Sequence, residues 1–481
     1  MQVTWTGADA TALRDALGLS QSRFAERAGI HLATVKKWAG RGSTIQLKPD
    51  FAAMMETMLK KATPEQRRRF FAISPQRTDS SALSDDSAAA TQFEMLAEPA
   101  LDTRSLDCAK VAHEIARRDL TLDRRQVSQA LAGVVVGVHL LEPLEQWLLV
   151  NTSDTPPSPV VTGLGLQELD ELENTARAFR EWDDDFGGGL RRKAVIGQLD
   201  EVAELLGDNP APPIKQRLRH ILALLADTAA TMSWDSHLEG VAQEYYGVAF
   251  MAAAKAGEPA LCANAIAGMA RQLLSLDHYG TTVQRAEKER DRAFDALELI
   301  RMALDRFGPR VTPTVRAMLH TREAWAYAKL QRPSAFLRAA DKAYAAFSES
   351  NPTEDPYWVR YFDEAEIAGT LGGRLLELAR HDSGFAGEAA QSIDQAIALR
   401  RPKRLRSSAL DRLGIVEARL IEGELEEACR LGNNALAVVE QTGSHRVQRK
   451  LQRVYKQTAD LTNVAAVAEF RDNVRPLVSV V

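Results

Sequence analysis

With 481 residues, the chain is too long for one compact core and should divide into about three units. Hydrophobic residues make up 45% and charged residues 26%, which fits a soluble globular protein, and the 6% aromatic content with many Ala and Leu favours helices and excludes a β-rich fold. The net charge of −5 is unevenly distributed: residues 1–78 carry 13 Lys or Arg against 6 Asp or Glu, and the remainder carries 47 against 59, so a basic head precedes an acidic body.

Three short helices are predicted near the N-terminus. The first covers residues 8–17, the second covers 21–28 after the capping Ser20, and both end at a glycine. The third covers residues 32–39. Because the turn between the second and third helices is too short for anything but a tight bend, the layout is that of a helix-turn-helix.

The apolar positions of this segment lie where a three-helix core needs them, at Leu13, Leu17, Leu19, Phe24, Ala25, Ala28, Ile30, Val35 and Trp38. The other face of the third helix consists of Leu32, Ala33, Thr34, Lys36, Lys37 and Arg41. This face is exposed unless a partner docks on it. The alternative is that three small amphipathic helices merely begin a helical protein.

The stretch LGLSQSRFAERAGIHLATVKKWAGRG, residues 17–42, resembles the lambda-repressor-like helix-turn-helix of the xenobiotic-response-element (XRE) family of transcriptional regulators. The resemblance implies that Gln21 holds a phosphate, that the backbone is braced by Thr34, Lys36 and Arg41, and that the residues facing base edges are Leu32, Ala33 and Lys37. A lysine can donate to guanine O6 and N7, whereas Leu and Ala make only apolar contacts such as with a thymine methyl.

Two positions depart from the family pattern. His31 stands where a Ser or Thr usually caps the recognition helix, and Ala39 stands where a Glu usually follows the Trp. His31 is a weaker cap. The loss of the Glu leaves open what orders residues 40–42.

Residues 1–73 are predicted to form one DNA-binding domain. An apolar stripe over residues 47–61 indicates a fourth helix, and the capping-box spacing from Thr63 to Gln66 begins a fifth. Three arginines in the fifth helix, Arg67 to Arg69, form either a solvated face or a phosphate clamp. Residues 74–92 are rich in Ser and Asp and lack large apolar groups, which predicts a flexible linker.

Residues 93–150 are predicted to form a helical connector, and the polar, proline-rich residues 151–162 a second linker. Within the connector, DLTLDRRQVSQALAGVVVGVHLLEPLEQWLL resembles a segment between head and repeats in an actinobacterial subfamily of XRE-type regulators. Later stretches that begin at Phe179, Tyr357 and Ala409 resemble the same subfamily. The resemblance therefore spans nearly the whole chain.

Three aspartates, Asp183 to Asp185, precede Phe186 and a run of three glycines. Calcium loops need oxygen ligands at alternating positions and a closing glutamate, and phosphate loops need Lys and then Ser or Thr after the glycines. Neither pattern is present, so the segment predicts a helix end and a tight turn.

From about residue 214 the chain alternates amphipathic helices with short Gly or Pro turns. Every second helix carries alanines seven residues apart, at Ala242 and Ala249, Ala286 and Ala293, Ala339 and Ala346, Ala389 and Ala396, and Ala428 and Ala435. Seven residues are nearly two turns, so each pair lies on one face and lets a neighbouring helix pack closely. Residues 163–481 are therefore predicted to form an all-α, tetratricopeptide-like α-solenoid, with a registry left open because the spacing departs from the regular period of about 34 residues.

Stacked helix pairs leave a concave inner face that suits extended peptides, small molecules or partner helices. Peptide-sensing regulators of Gram-positive bacteria have this architecture, which implies ligand control by analogy alone. If a ligand binds, the polar and aromatic residues of the first helix in each pair should meet it, and the candidate ligand-groove residues are Asn264, Arg271, Arg322, Tyr361 and Glu364. For each, the alternative is solvent exposure or pairing with another helix.

Two basic runs lie in the body. One covers residues 400–406, and the other is a helical stripe of Arg446, Arg449, Lys450, Arg453 and Lys456. They either contact the DNA backbone or pair with acidic residues of the body, and the charge pattern favours pairing.

Enzymes and metal sites lack their usual sequence motifs here. No Gly-x-Ser-x-Gly, His-Glu-x-x-His or Walker sequence occurs, and lone histidines such as His113 and His320 predict ordinary surface or core residues. The three cysteines are too far apart for a disulfide framework or a zinc site. We expect no catalytic residue, no metal and no cofactor.

The N-terminus lacks the pattern of a signal peptide. The most apolar run, residues 130–141, is about half of the roughly 20 residues that a bilayer span needs. The sequence thus predicts a cytoplasmic, nucleoid-associated protein without membrane contact.

These features favour a sequence-specific DNA-binding transcriptional regulator that is not an enzyme. Since one small head rarely reaches specific affinity, we expect a homodimer on a double-stranded DNA operator with an inverted repeat. A peptide, small-molecule or protein effector on the body would adjust its activity. The alternative is a protein–protein interaction adaptor that uses the repeat array, with the helix-turn-helix only localising it; operator, target genes and sign of regulation do not follow from the sequence.

Overall fold

The computed structural model describes residues 5–17, 21, 24–25, 30, 32–60, 70, 107–121, 134–137, 139–141, 143–144, 165–186, 191–276, 282–442 and 444–478. Within these ranges the protein is all-helical, and the chain divides into two compact units, Met1–Leu96 and Ala97–Val481. The two predicted linkers, the arginine triplet of the predicted fifth helix and the three-glycine run lie outside the described residues.

The first unit contains helices α1 (Gly7–Ala16), α2 (Leu32–Arg41) and α3 (Pro49–Lys60). All three match predicted helices to within about two residues at each end. Of the helix predicted at 21–28, the structure describes Gln21, Phe24 and Ala25, and all three are helical.

Helix α1 begins at a capping box. The Thr6 hydroxyl accepts a hydrogen bond from the backbone N–H of Asp9, and the Asp9 carboxylate accepts one from the backbone N–H of Thr6 at 2.9 Å. These bonds satisfy two N–H groups at the helix start that have no partner within the helix. The start of α1 is also held against the segment before α3, because Gly7 N–H donates to the carbonyl of Ile45 at 2.9 Å.

The core of the first unit is aromatic and aliphatic. Trp5 stacks on Phe70 with ring centroids 5.6 Å apart, and Trp38 meets the ring of Phe51 edge-on at 5.3 Å. The start of α1 approaches the end of α2 so closely that a Cβ on Gly7 would lie 2.7 Å from the Trp38 carbonyl oxygen. This contact accounts for a glycine at the first position of α1.

The second unit begins with α4 (Cys108–Thr121), α5 (Leu166–Phe186) and α6 (Arg192–Gly207). Six consecutive helix pairs follow: α7 (Pro212–Asp235) with α8 (Glu239–Ala256), α9 (Pro259–Ser275) with α10 (Thr282–Phe307), α11 (Pro313–Lys329) with α12 (Pro333–Ser348), α13 (Glu364–Ala379) with α14 (Ala386–Leu399), α15 (Leu405–Glu422) with α16 (Leu425–Glu440), and α17 (His445–Gln457) with α18 (Ala465–Val478). This pairing fits the predicted α-solenoid body.

The first helices of successive pairs touch one another from α7 through α17 and form the inner layer. The alanines predicted for every second helix lie on α8, α10, α12, α14 and α16. Their small side chains are buried or half-buried wherever the structure describes them, as at Ala389 and Ala396 of α14. The spacing of small residues therefore identified the second helix in the first five of the six pairs.

The last helix pairs of the array contact its first helix, α7. Asp235, the last residue of α7, is 2.8 Å from Arg406 Nη1 at the start of α15 and 2.7 Å from Arg446 Nε at the start of α17. The Ser444 hydroxyl donates to the same carboxylate at 3.2 Å. Helix α5 also contacts both α7 and α15. The inner layer consequently encloses a central space.

Helix α4 packs on α6 and α8 and belongs to the second unit. Its Asp119 carboxylate accepts two hydrogen bonds from Arg192, at 2.5 and 2.8 Å, and a third from the Tyr245 hydroxyl at 3.0 Å. The Asp119 side chain is fully buried in this network.

Among the described helices, none is both long enough and apolar enough to cross a bilayer.

Candidate DNA-binding surface and body cavity

Helix α2 has one buried apolar face and one exposed basic face. Val35 and Trp38 are each only 4% exposed and pack in the core of the first unit. Three positions between and beyond them, Lys36, Lys37 and Arg41, are exposed. The helical register therefore turns these cations toward solvent.

The remaining candidate contacts are distributed around these cations. Ala33 is exposed, and Thr34 and Gln21 are half-buried. Leu32 is the first residue of α2, and its side chain lies outside the described residues.

The turn after α2 is ordered by a residue that the sequence analysis did not consider. The helix continues through Gly40 to Arg41, where the Thr44 hydroxyl donates to the Arg41 carbonyl oxygen at 2.6 Å. Gly42 has a φ of +50°, a backbone conformation that favours glycine, and begins a short 3-10 turn. Thr44 and Gly42 thus hold the end of α2 although position 39 is an alanine.

The central space of the second unit contains a cavity of about 160 Å³. The inner helices line it, together with α5 and the segment before α13. Arg271, Arg322 and Tyr361 border this cavity, and Asn264 borders an adjoining smaller one that shares these three residues. Four of the five candidate groove residues are therefore brought together.

The fifth candidate, Glu364, is exposed and does not line the cavity. It is the first residue of α13, after Asp363 caps the helix by accepting from the Glu366 backbone N–H at 3.0 Å. Glu366, two residues further along the helix, faces the cavity instead. Two residues correspond to about 200° around a helix, so the two glutamates lie on opposite faces.

The cavity wall carries an excess of positive charge. Its nine Lys or Arg side chains oppose four Asp or Glu side chains. The cations come from α5, α9, α11, α13, α15, α17 and the turn before α15. Since these side chains come from positions spread between residues 180 and 450, only the folded array brings them together.

Several of these cations are paired with buried carboxylates. Arg180 is 2.7 Å from Asp227, and Arg400 is 2.6 Å from Glu366 and 2.7 Å from Asp411. Burial opposes ionisation of Asp235, but Arg446 and Arg406 outweigh it and hold the pKa of Asp235 well below its usual range. These pairs neutralise one part of the wall.

Two other guanidinium groups of the wall have no carboxylate within ion-pair distance among the described residues. Arg322 is 4% exposed, and burial, with Arg271 nearby, lowers its pKa. Burial, opposed by Glu377 and reinforced by Arg322 and Arg446, lowers the pKa of Arg374 to about 9. A guanidinium in a protein keeps its proton at neutral pH, so the two lowered pKa values reflect how unfavourable a buried charge is at these positions.

The two basic runs of the body pair with carboxylates at several positions, as the charge pattern favoured. Arg406 and Arg446 bind Asp235, Lys450 binds Glu417, and Arg404 lies 3.7 Å from Asp184. The sequence analysis did not place these residues in the groove. A usable signal existed, because the first run leads into α15 and the second lies along α17, and both are first helices of a pair, the layer that supplies the candidate groove residues.

The aspartates before the glycine run also face arginines. Asp183 is 1% exposed and lies 3.6 Å from Arg406, and Asp184 lies 3.5 Å from Arg180. Helix α5 ends directly after them at Phe186, as predicted.

His113 is paired rather than isolated. Its Nδ1 lies 2.7 Å from Asp200 and 3.9 Å from Glu204. The three side chains are of types that bind metals, yet all are partly exposed and join α4 to α6 as an ion-pair cluster would. We assign them no ligand.

Glu417 links three inner helices and predicts an acid-sensitive contribution to stability. Its fully buried carboxylate binds Arg380 at 2.7 Å, Gln457 at 3.3 Å, and Lys450. Burial opposes ionisation, but Lys450 and Arg380 outweigh it and lower the pKa of Glu417 from 4.5 to about 2. Its stabilisation, up to about 3 kcal/mol, is therefore present above pH 4.5 and is lost as the pH falls toward 2.

We expect Glu417→Gln to be less stable than the wild type at pH 7, with a difference in free energy of unfolding that shrinks below pH 4.5. Urea unfolding from pH 7 to pH 3 measures this difference. Glu424→Gln, which alters an exposed glutamate of the same region, is the control and should change little. A constant wild-type-to-Glu417→Gln difference across this pH range would contradict the assignment.

No protein-family model matches the chain, and no match is found among the curated proteins.

Proposed function

We propose that this protein is a DNA-binding transcriptional regulator of the XRE type, in which helix α2 reads DNA and the body responds to an effector. The observation that carries the proposal is the register of α2, which buries Val35 and Trp38 and exposes Lys36 and Lys37. The opposite register would bury the lysines and leave the helix unable to approach phosphate. A nucleoid location and action as a homodimer belong to the same proposal.

The exposed residues of α2 divide by what they can contact. Lys37 can donate to the acceptors of a guanine in the major groove, and Ala33 is small enough to meet a thymine methyl. Lys36 and Arg41 carry charges that suit phosphates, whose contacts fix position but hold no sequence information. This division is what the following experiment tests.

We expect Lys37→Ala to relax base preference and weaken binding of the preferred sequence by about 1 to 3 kcal/mol. Lys36→Ala removes the same charge from the neighbouring position and serves as the matched control. It should weaken all sequences alike and reduce the salt slope of binding by about one. The measurement is selection of genomic fragments by the full-length protein, followed by titration of the variants at several salt concentrations.

If neither Lys36→Ala nor Lys37→Ala changes DNA affinity or base preference, the proposal is contradicted. In that case, the adaptor function, in which the repeat array recruits a protein and the head only localises it, would be favoured. If the protein acts as a homodimer, two chains should bind each selected DNA site, and the stoichiometry of the same titration measures this number.

A further inference from the structure

The body cavity holds positive charge that the protein itself does not neutralise. Of the nine cationic side chains in the wall, six have a carboxylate within 4 Å, some of these carboxylates lying outside the wall, and three have none in the described part of the chain. Among the described residues, no carboxylate lies within ion-pair distance of Arg271, Arg322 or Arg374, which come from the consecutive inner helices α9, α11 and α13. Buried like charges without counterions destabilise a fold, so this arrangement needs a reason beyond stability.

Aromatic rings hold two of these guanidinium groups in place without neutralising them. Arg374 lies 3.3 Å from the centroid of the Trp325 ring, and Arg271 lies 4.6 Å from that of Trp234. Stacking fixes a guanidinium plane and leaves its N–H groups available at the edge. The Nε atoms of both arginines are buried and, among the described residues, have no hydrogen-bond partner.

The remaining contacts of the three arginines are neutral. Arg271 donates to the Tyr246 hydroxyl at 3.2 Å, and the Tyr361 hydroxyl partly offsets the lowering of the Arg322 pKa by burial. Burial acts to lower the pKa of Arg271, but the hydroxyls of Tyr246 and Tyr361 raise it, as does Asp227 from beyond ion-pair distance. These partners orient the guanidinium groups but supply no negative charge at neutral pH.

Glycines leave open space along one side of the cavity. Gly373 of α13 lines the space, and a Cβ built on it meets nothing within 4 Å. Gly369 and Gly414 border the same space, and Ile393 and Leu410 add apolar surface. A small molecule therefore finds both a cationic side and an apolar side.

We propose that this cavity binds a phosphorylated small molecule, whose phosphoryl oxygens accept hydrogen bonds from Arg271, Arg322 and Arg374. A phosphoryl group carries up to about two negative charges and three acceptor oxygens, which suits several converging guanidinium forks better than one carboxylate does. A cavity of about 160 Å³ admits a small molecule and excludes a partner helix. The inference rests on the proposed function for its regulatory consequence, that the ligand changes DNA affinity.

Calorimetric titration of the full-length chain with inorganic pyrophosphate tests the assignment without DNA. Ionic strength is matched with sodium chloride, and citrate in a parallel titration represents multiply charged carboxylates. We expect one pyrophosphate per chain and weaker binding of citrate. Absence of pyrophosphate binding, or tighter binding of citrate, overturns the assignment.

Two variants locate the site. Arg322→Met should weaken pyrophosphate binding by at least about tenfold, because it removes charged hydrogen-bond donors. It should also leave the melting temperature of the ligand-free protein equal or higher, since an unpaired buried charge is removed. Arg316→Met, on the same helix but bound to the exposed Glu349 and outside the cavity, should bind pyrophosphate like the wild type.

Gly373→Leu tests the same cavity without changing a charge and without destabilising the fold. Leucine is a better helix former than glycine, so the variant should fold at least as well, while its side chain occupies the open space. We expect it to lose pyrophosphate binding. Wild-type affinity in both Arg322→Met and Gly373→Leu would place the anion elsewhere and overturn the assignment.

DNA titration with and without pyrophosphate separates the two proposals. A shift in DNA affinity in the wild type, absent in Gly373→Leu, supports regulation through the cavity. Pyrophosphate binding by a chain that selects no DNA would refute the proposed function and leave the ligand assignment standing. DNA selection without pyrophosphate binding would do the reverse.

Discussion

Replacing Asp235 by alanine is expected to lower the free energy of unfolding by about 3 to 5 kcal/mol, because it leaves Arg446 buried without its counterion and leaves Arg406 with only the more distant Asp183 carboxylate, 3.6 Å away. The carboxylate is 2% exposed and accepts from Arg406, Arg446 and Ser444. These partners lie more than 170 residues away in sequence, so the bond network joins the beginning of the array to its end. Loss of this carboxylate therefore removes both the counterion of the arginines and the contact between the two ends of the array.

Urea unfolding at neutral pH measures the effect, and tryptophan fluorescence reports it locally because Arg446 stacks over Trp234, 4.3 Å from its ring centroid. Asp170→Ala is the control. Its carboxylate is 60% exposed and binds Arg217, so the expected loss is at most about 1 kcal/mol. Equal losses for the two variants would show that Asp235 does not close the array.

Replacing Asp119 by alanine is expected to cost a similar amount, about 3 to 5 kcal/mol. The substitution leaves Arg192 buried with only the Ser233 hydroxyl, at 3.1 Å, and it leaves the Tyr245 hydroxyl without its acceptor. Both partners belong to helices of the main body, whereas Asp119 belongs to α4. The network therefore anchors α4 to the body.

A double variant distinguishes the loss of the Asp119–Arg192 attraction from the cost of leaving Arg192 buried without a counterion. Replacing Asp119 by Ala and Arg192 by Met together should recover part of the stability lost in Asp119→Ala, since no uncompensated cation remains. Urea unfolding of the wild type, both single variants and the double variant completes the cycle. A double variant as unstable as the sum of the single variants would mean that the two side chains do not interact.

The same carboxylate that closes the array also limits the charge of the cavity. Arg406 and Arg446 line the cavity and are held by Asp235, whereas Arg322 and Arg374 line it without such a partner. The paired groups are thus held by the protein, and the unpaired groups are the ones that the proposed anion would bind. This division explains why some cavity arginines contribute to stability and others should oppose it.

Much of the local structure followed from the sequence because local structure depends on near neighbours. The period of apolar residues in α2 placed Val35 and Trp38 inside and the lysines outside. Glycines and prolines marked the helix ends, and alanines seven residues apart marked the second helix in five of the six pairs. The choice of first helices as the groove layer placed four of five candidate residues at the cavities.

Other features depended on the tertiary structure alone. The contacts of Asp235 with the start of α15 and α17, the docking of α4 through Asp119, and the convergence of nine cations on one cavity join distant parts of the chain. Each helix pair adds a small rotation, and the sum of these rotations decides whether the array closes. The intrinsic helical pattern carries no measure of that sum, so the sequence by itself determined the helices and their faces, whereas only the packed array decided which charges meet.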